Sequence, residues 1–322
     1  MHTSALLKLF PPPKFLVMRY AGLNISDDAI RFVEYGHNSH GLTIAKYGST
    51  ELPVGLIDGG DIQDEKKLIE LLLEFDRTHD LSYVKVSIPE EKAYLFETEI
   101  PGPTDIRSIE QHIEFKLEEN VPLSAADAVF YFDLIRPSKP GESLRASVSV
   151  VPRSYIEHYI SLLRSAGIFP VAFEVAPRAL TRAILPPDDA GTTLFVHLMD
   201  RKTGMYVVSK RVVSFTSTLS FSNVPGEDNL TSRVANISRE VGRIQAYWLS
   251  KSAGSAISQV VIVGKDALSH EAPLGAALSQ INVHAHVADV WHNVFDVNSY
   301  IPPISREDSF EYAVAAGLGM PE

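Results

Sequence analysis

Hydrophobic and polar positions follow clear periods along most of the chain. Residues 15 to 25, 29 to 35 and 41 to 52 are rich in Val, Ile, Phe and Tyr and predict three successive strands, with Gly36 and Gly41 marking a turn. In "IQDEKKLIELLLEFDRTHD", Leu68, Leu71, Leu72 and Phe75 fall at i, i+3, i+4 and i+7, one face of a helix. "YVKVSI" and "KAYLFETEIP" follow as strands. "TDIRSIEQHIEFKLEENVP" predicts an amphipathic helix whose apolar stripe is Ile106, Ile109, Ile113 and Leu117, capped by Thr104 or Asp105. "AVFYFDLI" and "LRASVSVV" predict a strand pair. A helix from Ser154 buries Tyr155, Ile156, Tyr159, Ile160 and Leu163; Ser154 and Glu157 match a capping box, and Gly167 stands at the C-terminal cap. "VAFEVA" is a strand, and Pro177 suits the first turn of "PRALTRAIL".

"LPPDDAGT" has the composition of a linker. After it the pattern restarts. "TLFVHLM", "GMYVVSK" and "RVVSFTSTLSF" predict three strands, and residues 230 to 252 a helix with Val234, Ile237, Val241, Ile244 and Trp248 on one stripe. "QVVIVG" is a strand, "DALSHEAPLGAALSQI" mostly helix, and "VHAHVADV" a strand; a last helix opens at Ser305 with Asp308 in capping position. Three strands, a helix and a strand therefore occur twice, after residue 15 and after residue 192. The repeat is one of order, not of sequence. It predicts two like lobes about a cleft, the first interrupted by an insertion at about 85 to 165.

The turn in "AGLNISDDAIRFVEY" carries candidate chemistry. A strand, a tight polar turn and a second strand frame a phosphate loop, yet "SDD" has no glycine to let the backbone approach a phosphate.

Composition narrows the classes. The chain has 322 residues, 45% hydrophobic and 21% charged, enough for two lobes. A formal net charge of -11 with no basic cluster argues against nucleic acid. No cysteine is present, which excludes disulfides, thiolate zinc sites and cysteine nucleophiles. No apolar run approaches the roughly 20 residues that cross a bilayer. "MHTSALLKLFPPPKFLVMRY" lacks a basic start and is broken by prolines, so residues 1 to 14 read as a tail rather than a signal peptide, and the expected location is cytoplasmic.

Several stretches together resemble the PilM family of actin-like type IV pilus assembly proteins, and more distantly FtsA. "YAGLNISDDAIRFVEY" resembles the first phosphate motif, and "LPVGLIDGGDIQDEKKLIELL" the turn and acidic helix start that follow. "VSIPEEKAYLFETEIP" with the helix ending "FKLEENVPL" resembles the inserted subdomain. "VVPRSYIEHYISLLRSAGIFPVAFEVAPRAL" resembles the exit from it, "QVVIVG" the adenosine motif, and "YAVAAGLGM" the closing helix. The implied fold is α/β: a duplicated actin-like, ribonuclease H-like, two-lobe fold carrying an α+β insert. Its expected divisions are 15–84 with 166–188 as first lobe, 85–165 as insert and 189–322 as second lobe, closed by a helix at 305–320.

In such folds, two turns with acidic residues and glycines hold Mg²⁺ and the phosphates of ATP. By the resemblance, Asn24 stands at the first aspartate and Ser26 at its glycine, followed by Asp27 and Asp28. In the second motif His197 replaces the aspartate and Met199 the glycine, while Thr203 is kept; Gly264-Lys265 replaces a glycine pair. These residues form the expected nucleotide pocket, a degenerate one. Lys202 and Lys265 are the cations that would face phosphates. No cofactor is assigned: ATP with Mg²⁺ is what the fold implies, and three altered motifs argue against its hydrolysis. No catalytic residue and no metal ligand is assigned. His284 and His286 lie at i and i+2 and read as a solvated strand face. "IDGGDI" reads as a turn, and no G-x-S-x-G, H-E-x-x-H or Walker motif occurs.

The resemblance implies an adaptor whose partner is a bitopic inner-membrane protein resembling PilN, held by its cytosolic tail between first lobe and insert, with pilus motor components beyond. The expected contacts are Phe130, Tyr131 and Phe132 of "VFYFDLI" and Ile113 and Leu117 of the insert helix. The alternatives are a type II secretion platform component, an FtsA-like division protein, which would carry a membrane helix after "GLGMPE", and an actin-fold ATPase or small-molecule kinase, which would need intact phosphate loops.

Overall fold

Strand pairing builds two five-stranded sheets of one design. The computed structural model describes residues 19–38, 41–101, 105–135, 143–221, 229–251, 256–295 and 300–321. The expected tail at 1–14 and the start of the first strand at 15–18 lie outside them. In the first sheet, β1 (Ala21–Ile25), β2 (Ala29–Asn38) and β3 (Gly41–Glu51) form an antiparallel meander. After a two-residue pair, β4 (Ile57–Asp58) and β5 (Asp61–Ile62), and helix α1 (Glu65–His79), strand β6 (Tyr83–Ile88) joins β1 in parallel. The second sheet repeats this with β11 (Thr192–Leu198), β12 (Lys202–Ser209), β13 (Val212–Ser220), helix α5 (Leu230–Lys251) and β14 (Gln259–Gly264). A fifth parallel strand ends each sheet: β10 (Phe169–Val175) beside β6, and β15 (His284–Val287) after helix α6 (Ala267–Ser279). The orders are β3-β2-β1-β6-β10 and β13-β12-β11-β14-β15, the same path twice.

Local chemistry sets the helix ends. Asp64 accepts from the Lys67 amide at 3.0 Å to open α1, and Ser305 Oγ accepts from the Asp308 amide at 3.1 Å to open α7 (Arg306–Gly319). Gly167, at φ +82°, ends α3 (Arg153–Ser165). The expected capping box at Ser154 and Glu157 does not form. Pro152 closes β9 (Leu144–Pro152) and starts the helix at Arg153, so Ser154 already lies inside the first turn.

The insert is an antiparallel sheet, β7-β9-β8, with β7 (Tyr94–Ile100), β8 (Ala128–Ile135) and one helix, α2 (Ile106–Asn120). Asp105 caps α2, and Ile109, Ile113 and Leu117 seal it onto Ala146, Val148 and Val150. Ile106, expected on the same stripe, is exposed. Its angle around the helix is right, so its place in the first turn is what leaves it uncovered. Helix α3, expected within the insert, packs elsewhere: Tyr159, Leu162 and Leu163 join Leu23, Phe32, Leu68 and Val86 in the first-lobe core. The insert therefore has one helix, not two.

Helices α4 (Ala176–Ile184) and α7 lie between the sheets. α7 follows the second lobe in sequence but packs on the first sheet so closely that a Cβ on Gly22 of β1 would stand 2.1 Å from the Ala315 carbonyl oxygen. Such contact admits only glycine.

Candidate functional site

The ends of β1, β6, β11 and β14 meet at one cleft between the sheets. Asn24, Ser26, Asp28, His197, Gly264 and Lys265, all expected there, line it, together with Arg31, Ser87, Glu90, Lys202 and Glu311. Thr203 does not; it is fully buried in β12 opposite Leu198. The enclosed space is about 40 Å³. That holds a few waters, whereas ligand pockets run to roughly 300–1,000 Å³.

Internal bonds fill the cleft. Ser26 Oγ donates to Asp28 Oδ1 at 2.7 Å and closes the first turn on itself. Asn24 Oδ1 accepts from Ser87 Oγ at 2.7 Å. Asp27 turns toward the β4–β5 hairpin, where its carboxylate accepts from the amides of Gly59 at 3.0 Å and Gly60 at 3.1 Å. Both glycines have positive φ, so successive N–H groups converge as an anion nest. Lys202 and Lys265 do not stand free for phosphates as expected: Lys202 Nζ is 2.6 Å from Glu91 and 3.1 Å from Asp27, and Lys265 Nζ is 2.8 Å from Asp200. Arg31 is paired with Glu311 and with Asp28.

Burial sets the protonation of the cleft. The His197 imidazole is pushed down to about 4, chiefly by burial, with Asp28 opposing and Lys202 and Arg31 assisting. It is neutral at pH 7, and its Nδ1 lies 3.4 Å from Tyr206 Oη. Glu90 is pushed up to about 7, by burial first and by Glu91 next, against Lys202. Burial works against the charge of Lys202, but Glu91 and Asp27 outweigh it and raise its pKa. Glu90 and Glu91 were missed from sequence. The signal was there, two acids directly after Pro89, which follows the last residue of β6 as Lys265 follows the last residue of β14.

A second, larger space lies between the first lobe and the insert. About 500 Å³ is lined by Gly60, Asp61, Ile62, Lys92, Tyr94 and the α3 face of Tyr155, His158 and Tyr159, among others. Tyr155 Oη donates to the Gly60 carbonyl at 3.2 Å, the Tyr155 and Tyr159 rings lie 4.8 Å apart, and Lys92 Nζ is 2.6 Å from Asp61. None of the five expected partner residues lines this groove. Ile113 and Leu117 are fully buried inside the insert and offer no surface, because the stripe that made them conspicuous is what α2 uses to fold. Phe130 and Phe132 are half-buried against the same core, and Tyr131 points the other way, under Arg178. Among the described residues, no three or more His, Cys, Asp or Glu side chains are placed to hold a metal ion, and no helix is long and apolar enough to cross a membrane. His284 and His286 stack at 5.5 Å on β15.

Known proteins resemble this chain in sequence and in structure. A solved PilM–PilN type IV pilus biogenesis complex matches with a TM-score of 0.74 at 17% identity, covering 94% of this chain and 98% of that one. The cytoplasmic domain of EpsL, an inner-membrane component of the type II secretion system of Vibrio cholerae, matches at 14% identity over 76% of this chain and 82% of that one, with a TM-score of 0.45. A Bacteroides thetaiotaomicron protein of actin-like ATPase fold matches at 9% identity over 84% and 90%, with a TM-score of 0.46. No curated protein sequence matches. The fold, with its duplicated sheet order, is thus that of the solved PilM–PilN complex's matching chain. A family model described as "Type IV pilus assembly protein PilM" matches residues 22–224, through the whole insert and into the second lobe. The chain belongs to the PilM family of type IV pilus assembly proteins.

Proposed function

We propose that this protein is a cytoplasmic adaptor of a pilus assembly platform. It holds the cytosolic tail of a bitopic inner-membrane protein in the groove between first lobe and insert, and its interlobe cleft does not turn over nucleotide. The observation that carries the reading is the contrast between the two spaces: about 500 Å³ in the groove against about 40 Å³ in the cleft and about 170 Å³ in the adjoining space beside Asp28, Arg31 and Lys265. The groove offers aromatic faces on Tyr94 and Tyr155, with the Tyr159 ring buried behind them, and the exposed side chains of Asp61 and His158. That combination suits an extended peptide, with side chains set against rings and its backbone met by polar groups. The solved relative is a complex of PilM with PilN, so a PilN-like tail is the partner to test. Association with the inner face of the membrane would follow from that partner.

A nucleoside triphosphate with Mg²⁺ does not fit the cleft as its side chains stand. The three cations lining it, Arg31, Lys202 and Lys265, are already paired with carboxylates. Asp27, in the first turn, is held by two glycine amides and an ammonium. Two measurements test the reading. A labelled synthetic peptide of the cytosolic tail, taken from a single-span inner-membrane protein encoded beside this chain, is titrated by fluorescence anisotropy. Saturable binding is expected; none at millimolar protein would sink the adaptor reading. Steady-state ATP hydrolysis should not exceed the blank, and a Mg²⁺-dependent rate lost on His197→Ala would overturn the second half.

A further inference from the structure

Three carboxylates and one ammonium converge where both lobes and the insert meet. Asp27 comes from the first lobe, and Glu90 and Glu91 from the turn that leads into the insert. Lys202 opens β12 in the second lobe and is 7% exposed, with its Nζ on Asp27 Oδ2 at 3.1 Å and Glu91 Oε1 at 2.6 Å. Glu90 faces the second lobe and accepts from Thr218 Oγ1 at 3.1 Å. Without that cation, Asp27 and Glu91 would repel each other in a largely buried place, and the second lobe would lose its charged contact with both.

We propose that the Lys202 ammonium acts as a built-in cation strut, which ties the second lobe to the first and keeps the β4–β5 hairpin in shape. The path to the hairpin is short. Lys202 neutralises Asp27, whose carboxylate receives the Gly59 and Gly60 amides. Gly60 in turn presents its carbonyl to Tyr155 in the groove wall. On the other side, Glu91 is followed by Lys92, which pairs with Asp61 of the same hairpin. Interlobe closure and groove shape thus share one charge. The consequence for a partner rests on the reading above; the strut itself is testable without one.

Amide hydrogen exchange in the full chain reads the strut directly. Lys202→Met keeps the stem and removes the charge. Exchange of the Gly59 and Gly60 amides should then rise about tenfold or more, and Lys202→Arg should restore most of the protection. Wild-type protection in Lys202→Met overturns the proposal. Should that variant fail to fold, Glu91→Gln keeps the shape at a partly exposed position and should raise hairpin exchange about threefold; unchanged exchange there also overturns it. A strut already in place leaves no seat for a second cation, so millimolar MgCl₂ should move the wild-type melting temperature by less than about 1 °C. A larger, concentration-dependent rise would mean that the acids still take a metal, and the proposal would fail. If these results hold while the tail peptide does not bind, the strut stands and only the adaptor reading falls.

Discussion

The guanidinium of Arg178 sits over the ring of Tyr131, 4.1 Å from its centroid. Arg178 belongs to α4 between the lobes, and Tyr131 to β8 of the insert. The same guanidinium donates to Asp133 at 3.2 Å and to Glu174 at 2.8 Å. Glu174 also pairs with Lys85 and Arg182, and Arg182 reaches the Gly317 carbonyl of α7 at 2.7 Å. Burial opposes the Glu174 charge, but Arg182, Arg178 and Lys85 outweigh it and hold the carboxyl below its usual range. One network therefore bolts the insert, the first sheet and the closing helix together.

Tyr131→Leu removes the ring beneath Arg178 and a hydrogen-bond partner. It should lower stability by about 1–2 kcal/mol in urea unfolding. Because Tyr131 lies outside the groove, the affinity for a tail peptide should change less than about twofold.

Two buried groups pull the pH dependence in opposite directions. Glu90 titrates near 7 when folded against 4.5 ordinarily, so the folded state holds the extra proton across that window and stability falls as pH rises through it. His197 titrates near 4 when folded against 6.5 ordinarily, so the unfolded state takes the extra proton and stability falls as pH drops through that window. The slopes oppose between about 4.5 and 6.5. Urea midpoints across that range should be nearly flat for these two groups in the wild type. Glu90→Gln should make stability climb with pH by roughly 1 kcal/mol per unit, and His197→Asn should make it fall. Flat profiles in both variants would contradict the assignment.

Gly317→Ala should be among the most damaging single-methyl changes. Its Cβ would lie 1.9 Å from the Ala179 carbonyl oxygen, where α7 crosses α4. Backbone cannot yield as a side chain can, so a loss of about 3 kcal/mol or failure to accumulate folded protein is expected by circular dichroism.

Tyr94→Ala and Tyr155→Ala should each weaken tail-peptide binding about tenfold or more, since aromatic residues in a groove carry disproportionate binding energy. Retained melting temperature for Tyr94→Ala would separate lost contact from lost fold. Anisotropy titrations equal to wild type for both would move the docking surface elsewhere.

Much of the cleft was legible as positions and little of it as chemistry. Asn24, Ser26, Asp28, His197, Gly264 and Lys265 do share one cleft, because each sits at the end of a strand and strand order repeats. Their partners were not legible. Lys202 and Glu91 are 111 residues apart, and only the meeting of two lobes brings them within 2.6 Å. Ile113 and Leu117 mislead for a related reason: an apolar stripe says that a face is covered, not what covers it.

By itself the sequence determined what depends on neighbours along the chain. The periods of α1, α2 and α5, the caps at Asp105 and Ser305, and the doubled order of strands and helix are local, set by spacing and by backbone groups a few residues away. The tertiary structure alone decided which faces meet. It gave α3 to the first-lobe core, closed Asp27 into the Gly59–Gly60 nest, and opened a groove beside Tyr94 and Tyr155. Burial and charge pairing are properties of juxtaposed surfaces, and no spacing along one strand or helix encodes the surface that will oppose it.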